Sequence, residues 1–177
     1  MTTSTSTKIK NKPIKRSGYI VPISRDHHAG LLFCWKIKQG LKMDISFDRI
    51  NGYIRFFWDG HLKEHFIEEE ILLFNQLDCQ LTHKGKCDHK VLTEWFNRVA
   101  EYGLANQAEY YTFVEILTNH IRYEEREIFP HLEAVLAAET LAGIRNILER
   151  THQGPFDDNY PDEFWIKHCS KASTIKN

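Results

Sequence analysis

Apolar positions recur at helical spacing along most of the chain, and nowhere do they alternate long enough to suggest a strand. Ser24 stands as a candidate N-cap for a first helix over 24–39, with Leu31, Leu32, Trp35 and Ile37 inside and Gly40 just beyond its end. Over 46–77 the positions Ile50, Ile54, Phe57, His61, His65, Glu69, Leu72 and Leu73 keep one helical phase through Gly52 and Gly60, which predicts the longest helix. The stretch 78–86 is weakly periodic and contains Gly85, so it reads as a loop. A third helix is predicted over 87–102 on Val91, Leu92, Trp95, Phe96 and Val99, closed by Gly103. A fourth runs over 106–129 through Phe113, Ile116, Leu117, His120 and Glu124, before Pro130 breaks or restarts it. A short amphipathic piece over 140–150 packs outside. Long amphipathic helices joined by short connections predict an all-α fold, an antiparallel up-down four-helix bundle.

At 177 residues the chain suits one core. Three regions follow: an arm over 1–17, the bundle over 18–150, and an irregular tail over 151–177. That tail holds Gly154, Pro155 and Pro161, with Tyr160, Phe164 and Trp165 as the residues to pack it on the bundle. No apolar run approaches the roughly 18 residues a membrane helix needs. The Thr/Ser/Lys-rich start lacks the hydrophobic segment of a secretory signal. A formal net charge of −1 supplies no broad basic field for nucleic acid, and the local Lys8, Lys10, Lys12, Lys15, Arg16 group reads as solvated. Cys34, Cys79, Cys87 and Cys169 are widely spread, as in a reducing compartment, so a cytoplasmic protein is expected.

Histidine changes the picture, with ten in the chain. His65 to Phe74 and His120 to Phe129 share the pattern His-x-x-x-Glu-Glu-x-x-x-Phe. On an α-helix, residues four apart are offset by only about 40°, so His65 with Glu69, and His120 with Glu124, project from one face of their helices. Exposed ion pairs would show the same spacing, but the bulky apolar residues beside both motifs favour an inward face. Buried carboxylates cost several kcal/mol each unless compensated, and a divalent cation compensates them. Imidazole with carboxylate suits iron, manganese or zinc, and paired carboxylates can bridge two ions. His28 on the first helix and His89 on the third would complete one imidazole per helix, and His61 is a fifth imidazole or a rim residue. Two six-coordinate ions sharing five imidazoles, two bridging carboxylates and a bridging oxygen would keep one position open for O2 or NO. Cys79, His83, Cys87 and His89 could be read as a zinc site, although their spacing matches none of the common zinc pairs.

The order His, His-x-x-x-Glu, His, His-x-x-x-Glu over about 20–136 resembles the hemerythrin-like, cation-binding HHE family. Asn119-His120-Ile121 and His65-Phe66 followed by Glu68-Glu69-Glu70 are also similar to hemerythrin motifs. The resemblance implies a non-haem di-iron centre, two iron ions bridged by carboxylates and an oxo or hydroxo group, with zinc or manganese ranked behind iron. Carried over, the ligands would be His28, His65, Glu69, His89, His120 and Glu124. Hemerythrins proper have a second histidine where this chain has Thr93, and they place the last carboxylate where this chain has Glu125. The doublet His27-His28 leaves a one-residue choice, in which Leu31, at the spacing that the family motif shows, favours His28. A metal-binding protein that binds O2 or NO, or senses or stores iron, is expected. The alternative is a di-iron enzyme, an oxidase or peroxidase or a nitric oxide or iron-sulfur repair protein. The sequence points to no particular protein partner.

Overall fold

A computed structural model describes residues 18–152, 154 and 156–166. Among these the regular elements are all helical, and no helix is long and apolar enough to cross a membrane. The expected arm over 1–17, the end of the tail and His168 lie outside the described residues.

Helix α1 (Val21–Lys42) starts with Pro22 in its first turn, where a missing N–H costs nothing. Ser24 is therefore inside the helix and not its cap; its hydroxyl donates to Glu125 at 2.5 Å. The buried stripe is Ile23, His27, Gly30, Cys34, Ile37 and Leu41, at alternating spacings of four and three. This phase corrects the sequence reading: Leu31, Leu32 and Trp35 are 38%, 39% and 48% exposed, and His28 is exposed with them.

The predicted long helix is a rod of α2 (Phe47–Phe57), a π-helical turn (Trp58–Leu62) and α3 (Lys63–Leu72). It ends earlier than expected, in a 3-10 turn, Phe74–Gln76. Helix α4 (Gln80–Glu101) begins inside the stretch expected to be a loop. There Thr82 Oγ1 accepts from the Cys79 amide at 3.3 Å and donates to the Leu77 carbonyl at 2.7 Å. Gly85 reflects close packing, since a Cβ on it would lie 2.9 Å from both Ile128 Cδ1 and Phe74 Cε2. Because the Phe74 ring is fully buried and cannot yield, Gly85→Ala should lose more to overpacking, about 1–3 kcal/mol, than the ~1 kcal/mol it gains in helix propensity. Urea unfolding should show a lower midpoint for that variant.

Helix α5 (Gln107–Tyr123) is capped by Asn106, whose side-chain oxygen accepts from the Glu109 amide. It continues through a second π-helical turn, Glu124–Ile128, into α6 (Phe129–Val135), with Pro130 in the first turn of α6. The chain thus stays helical through Pro130. Helix α7 (Ala138–Thr151) lays Leu141, Ile144 and Leu148 inward and packs on α1.

Helix α1 runs against α5 and touches α2 and α3, while α4 packs on α2 and α5. One core cluster is built on Phe33, Tyr53, Phe57, Phe96 and Phe113, and a smaller one on Ile23, Phe74, Ile128, Leu132 and Leu148. Along α1, α3, α4 and α5 with its π-helical turn, His27, His65, Glu69, His89, His120 and Glu124 fall at the transition from one cluster to the other. Part of the tail joins the larger cluster through Phe164 and Trp165. Asp158 in the same segment accepts from Lys36 at 2.6 Å and from Tyr53 at 2.5 Å.

Candidate metal centre

His27 on α1, His65 and Glu69 on α3, His89 on α4, His120 on α5 and Glu124 on the π-helical turn are all buried, the two carboxylates completely. They form two overlapping groups, Glu69, His89, His120, Glu124 and His27, His65, Glu69, in each of which one donor atom from every residue lies within 4.8 Å of the others. Glu69 belongs to both groups, and Glu124 reaches from the first toward His27 of the second. Glu69 Oε1 lies 3.2 Å from His27 Nε2 and 3.3 Å from His65 Nε2, while its Oε2 lies 3.3 Å from His89 Nε2. Glu124 Oε1 lies 3.0 Å from His120 Nε2 and 3.5 Å from His89 Nε2, while its Oε2 lies 3.2 Å from His27 Nε2.

Five of these buried atoms, Glu69 Oε2, His89 Nε2, His120 Nε2 and both Glu124 oxygens, make no hydrogen bond despite their closeness. They converge without being aimed at one another. Donors adjacent around an ion at about 2.1 Å sit about 3 Å apart, so the spacing and the missing alignment both match a coordination set. An orphaned buried carboxylate is costly, and a cation removes the cost.

The outward nitrogen of each imidazole faces a second carboxylate. His27 Nδ1 is 2.7 Å from Glu125, His89 Nδ1 2.9 Å from Glu70, His65 Nδ1 3.5 Å from Asp26, and His120 Nδ1 3.8 Å from Asp88. Hydrogen bonds at His27 and His89 hold the Nδ1–H tautomer and turn Nε2 toward the metal position, while Asp26 and Asp88 face His65 and His120 without a hydrogen bond. An internal two-fold relation emerges: Asp26-His27 on α1 matches Asp88-His89 on α4, and the two His-x-x-x-Glu-Glu turns match each other. The first residue of each Asp-His pair supports the histidine of a His-x-x-x-Glu-Glu turn, and the last glutamate of each turn supports the histidine of an Asp-His pair.

Burial by itself would push these imidazoles down, but the carboxylates outweigh it. His27 and His89 are held well above the ordinary histidine range, His120 above it, and His65 is raised to about 9. Burial likewise opposes ionisation of Glu69 and Glu124, and the surrounding imidazoles reverse this, holding both below the ordinary carboxylate range. In the metal-free centre, protons on the imidazoles thus do the neutralising that bound cations would do.

The structure brings together His65, Glu69, His89, His120 and Glu124 of the residues singled out in the sequence. It replaces His28 by His27, because the buried stripe of α1 passes through Ile23 and His27. Glu124 and Glu125 both point inward on their π-helical turn, one in the cluster and one behind His27. His61 is buried on the other π-helical turn, 5.8 Å ring to ring from His65, but lies outside both donor groups. Burial and the neighbouring His65 push it down to about 4, and its Nε2 has no hydrogen-bond partner. His152 bridges Asp26 at 2.8 Å and Glu68 at 2.6 Å. The Cys-His zinc reading is not assembled among the described residues: His83 is 64% exposed against Asp78, Cys87 is exposed, and His89 turns inward. Asp26, Glu70 and Asp88 were missed, and Glu125 was weighed only as an alternative to Glu124; the repeated Asp-His pair and the second glutamate of each turn are the signals that could have found their supporting place. No protein family, curated protein or solved structure compared with the chain matches it.

Proposed function

We propose that the chain is a hemerythrin-like di-iron protein, an antiparallel up-down four-helix bundle that binds a diatomic ligand, O2 or NO, or senses or stores iron. The observation that carries this reading is the set of buried, unpartnered donor atoms in which Glu69 and Glu124 each face both histidine pairs. His27 and His65 with one carboxylate face would hold one ion, and His89 and His120 with the other face would hold the second. The ions, when bound, supply a redox-active centre that can coordinate a diatomic molecule. The chain supplies orientation through the four outer carboxylates, and the aromatic cover of Phe66, Phe74 and Phe129 on the imidazoles excludes water. Four imidazoles to two inner carboxylates favour ligand binding over oxygen activation, because oxygen-activating bundles are richer in carboxylate.

Metal analysis and absorption spectra under O2, NO and peroxide test this. Near two irons per chain and a reversible spectral change with O2 or NO are expected. Sustained peroxide turnover would move the reading to the enzyme alternative, and a metal-free protein indifferent to chelators would overturn both.

A further inference from the structure

The two halves of the centre carry matching residues under different cover. Behind His27 and His65, the side chains of Glu125 and Asp26 are only 7% and 4% exposed. Ser24 donates to Glu125, and His152 at the end of α7 closes over Asp26 and Glu68. Behind His89 and His120, Glu70 and Asp88 are 40% and 26% exposed. No residue equivalent to His152 covers them among the described contacts; Asp88 is held by Lys84, itself 51% exposed.

A groove of about 510 Å³ lies between α3 and α4 on this second side, with Trp58 and Phe66 as apolar walls and His89 and Glu70 among its lining residues. Thr93, one turn beyond His89, lines it too, and its short side chain fills little of the space a larger residue would take. Phe66 and His89 both line it, so the groove reaches one imidazole of the centre. The Phe66 ring lies flat on His89 at 4.1 Å, edge-on to His120 at 5.6 Å, and is 5% exposed.

We infer that this groove is the route by which small molecules reach the centre, and that external ligands bind at the His89/His120 half while the His27/His65 half stays closed. The inference rests on the metal-centre reading for what happens at the ions, but the route itself is a property of the protein. The ligand class is a slim molecule, diatomic or linear triatomic. The Phe66 ring in contact with His89 leaves no standing passage, and a ring in a packed core opens only briefly, so bulkier molecules stop in the groove.

Dissolved O2, which is paramagnetic, tests the route in metal-free protein by NMR. Relaxation of the ring protons of Phe66, His89 and His120 should be enhanced several-fold more than that of His27 and His65, and Thr93→Trp should abolish the difference. Equal enhancement in both halves, or more at His27, overturns the route. Should Thr93→Trp fail to fold, Ile67→Trp at the exposed rim of the groove serves instead, with the same expectation. In iron-loaded protein, azide binding followed by stopped flow should slow at least tenfold in the plugged variant and quicken in Phe66→Ala; rates unmoved by either substitution would overturn the assignment of the external-ligand half. A protein that takes up no iron overturns the functional reading while the relaxation result still decides the route.

Discussion

Removing metal from the loaded protein should lower its thermal midpoint by 10 °C or more. A ligand that binds only the folded state stabilises it by about 4 kcal/mol per site at a thousandfold excess over its dissociation constant, and in a chain of this size 1 kcal/mol moves the midpoint by roughly 2–4 °C. The variants separate the residues by role. Glu69 and Glu124 each face both histidine pairs, so Glu69→Ala or Glu124→Ala should cost both ions and the whole metal-dependent shift. His120→Ala touches one group alone, so it should leave close to one ion per chain and about half of the shift. Scanning calorimetry with and without chelator, beside metal analysis of each variant, checks both statements. Loss of a single ion in Glu124→Ala would show that this carboxylate does not join the two halves.

Why those two glutamates could be found from sequence, and others not, follows from what helical periodicity encodes. His65-Glu69 and His120-Glu124 are local pairs, set one turn apart within one helix, so spacing alone puts each pair on one face. His89 was reachable because a helix face can be projected around it. His27 was within reach only as half of a doublet. Choosing between His27 and His28 needs the phase of α1, and the helix start that sets it was misplaced because Pro22 opens it and Ser24 turns inward to Glu125. The two π-helical turns were illegible for a related reason. They insert a residue into the helical phase, and nothing in Trp58–Leu62 or Glu124–Ile128 advertises that locally. This is why Glu124 and Glu125 looked like alternatives when both face inward. Gly85 misled in the opposite direction, since its function lies in a contact with Phe74 and Ile128 that is distant in sequence. The supporting carboxylates come from neighbouring helices, as Asp26 does for His65 and Glu70 for His89, and only tertiary packing reveals them.

Between about pH 6.5 and 9 the metal-free protein should lose stability as pH rises, while the metal-loaded protein should hold it. In the metal-free centre His65 is raised to about 9, and His27, His89 and His120 are raised as well, because the carboxylates around them outweigh burial. A histidine raised by folding binds its proton more tightly in the folded state. The stability it contributes is therefore complete below the unfolded value of about 6.5 and is lost as pH climbs through the folded value, at up to about 1.4 kcal/mol per pH unit for each imidazole titrating. Metal removes the slope: Nε2 must be unprotonated to bind, so above about pH 6.5 neither the loaded fold nor the unfolded chain holds these protons, and loading gains with pH what the metal-free fold loses. On the acid side the glutamates act together: Glu69 and Glu124 are held below the ordinary range, so what they contribute is present above about pH 4.5 and lost only as pH falls through their lowered values. Urea unfolding of both forms across this range should show midpoints that diverge as pH rises. Calorimetric loading in two buffers of different protonation enthalpy should show protons released at pH 7. Parallel stability curves, with no protons released on loading, would mean that the imidazoles and the metal do not compete for the same nitrogens.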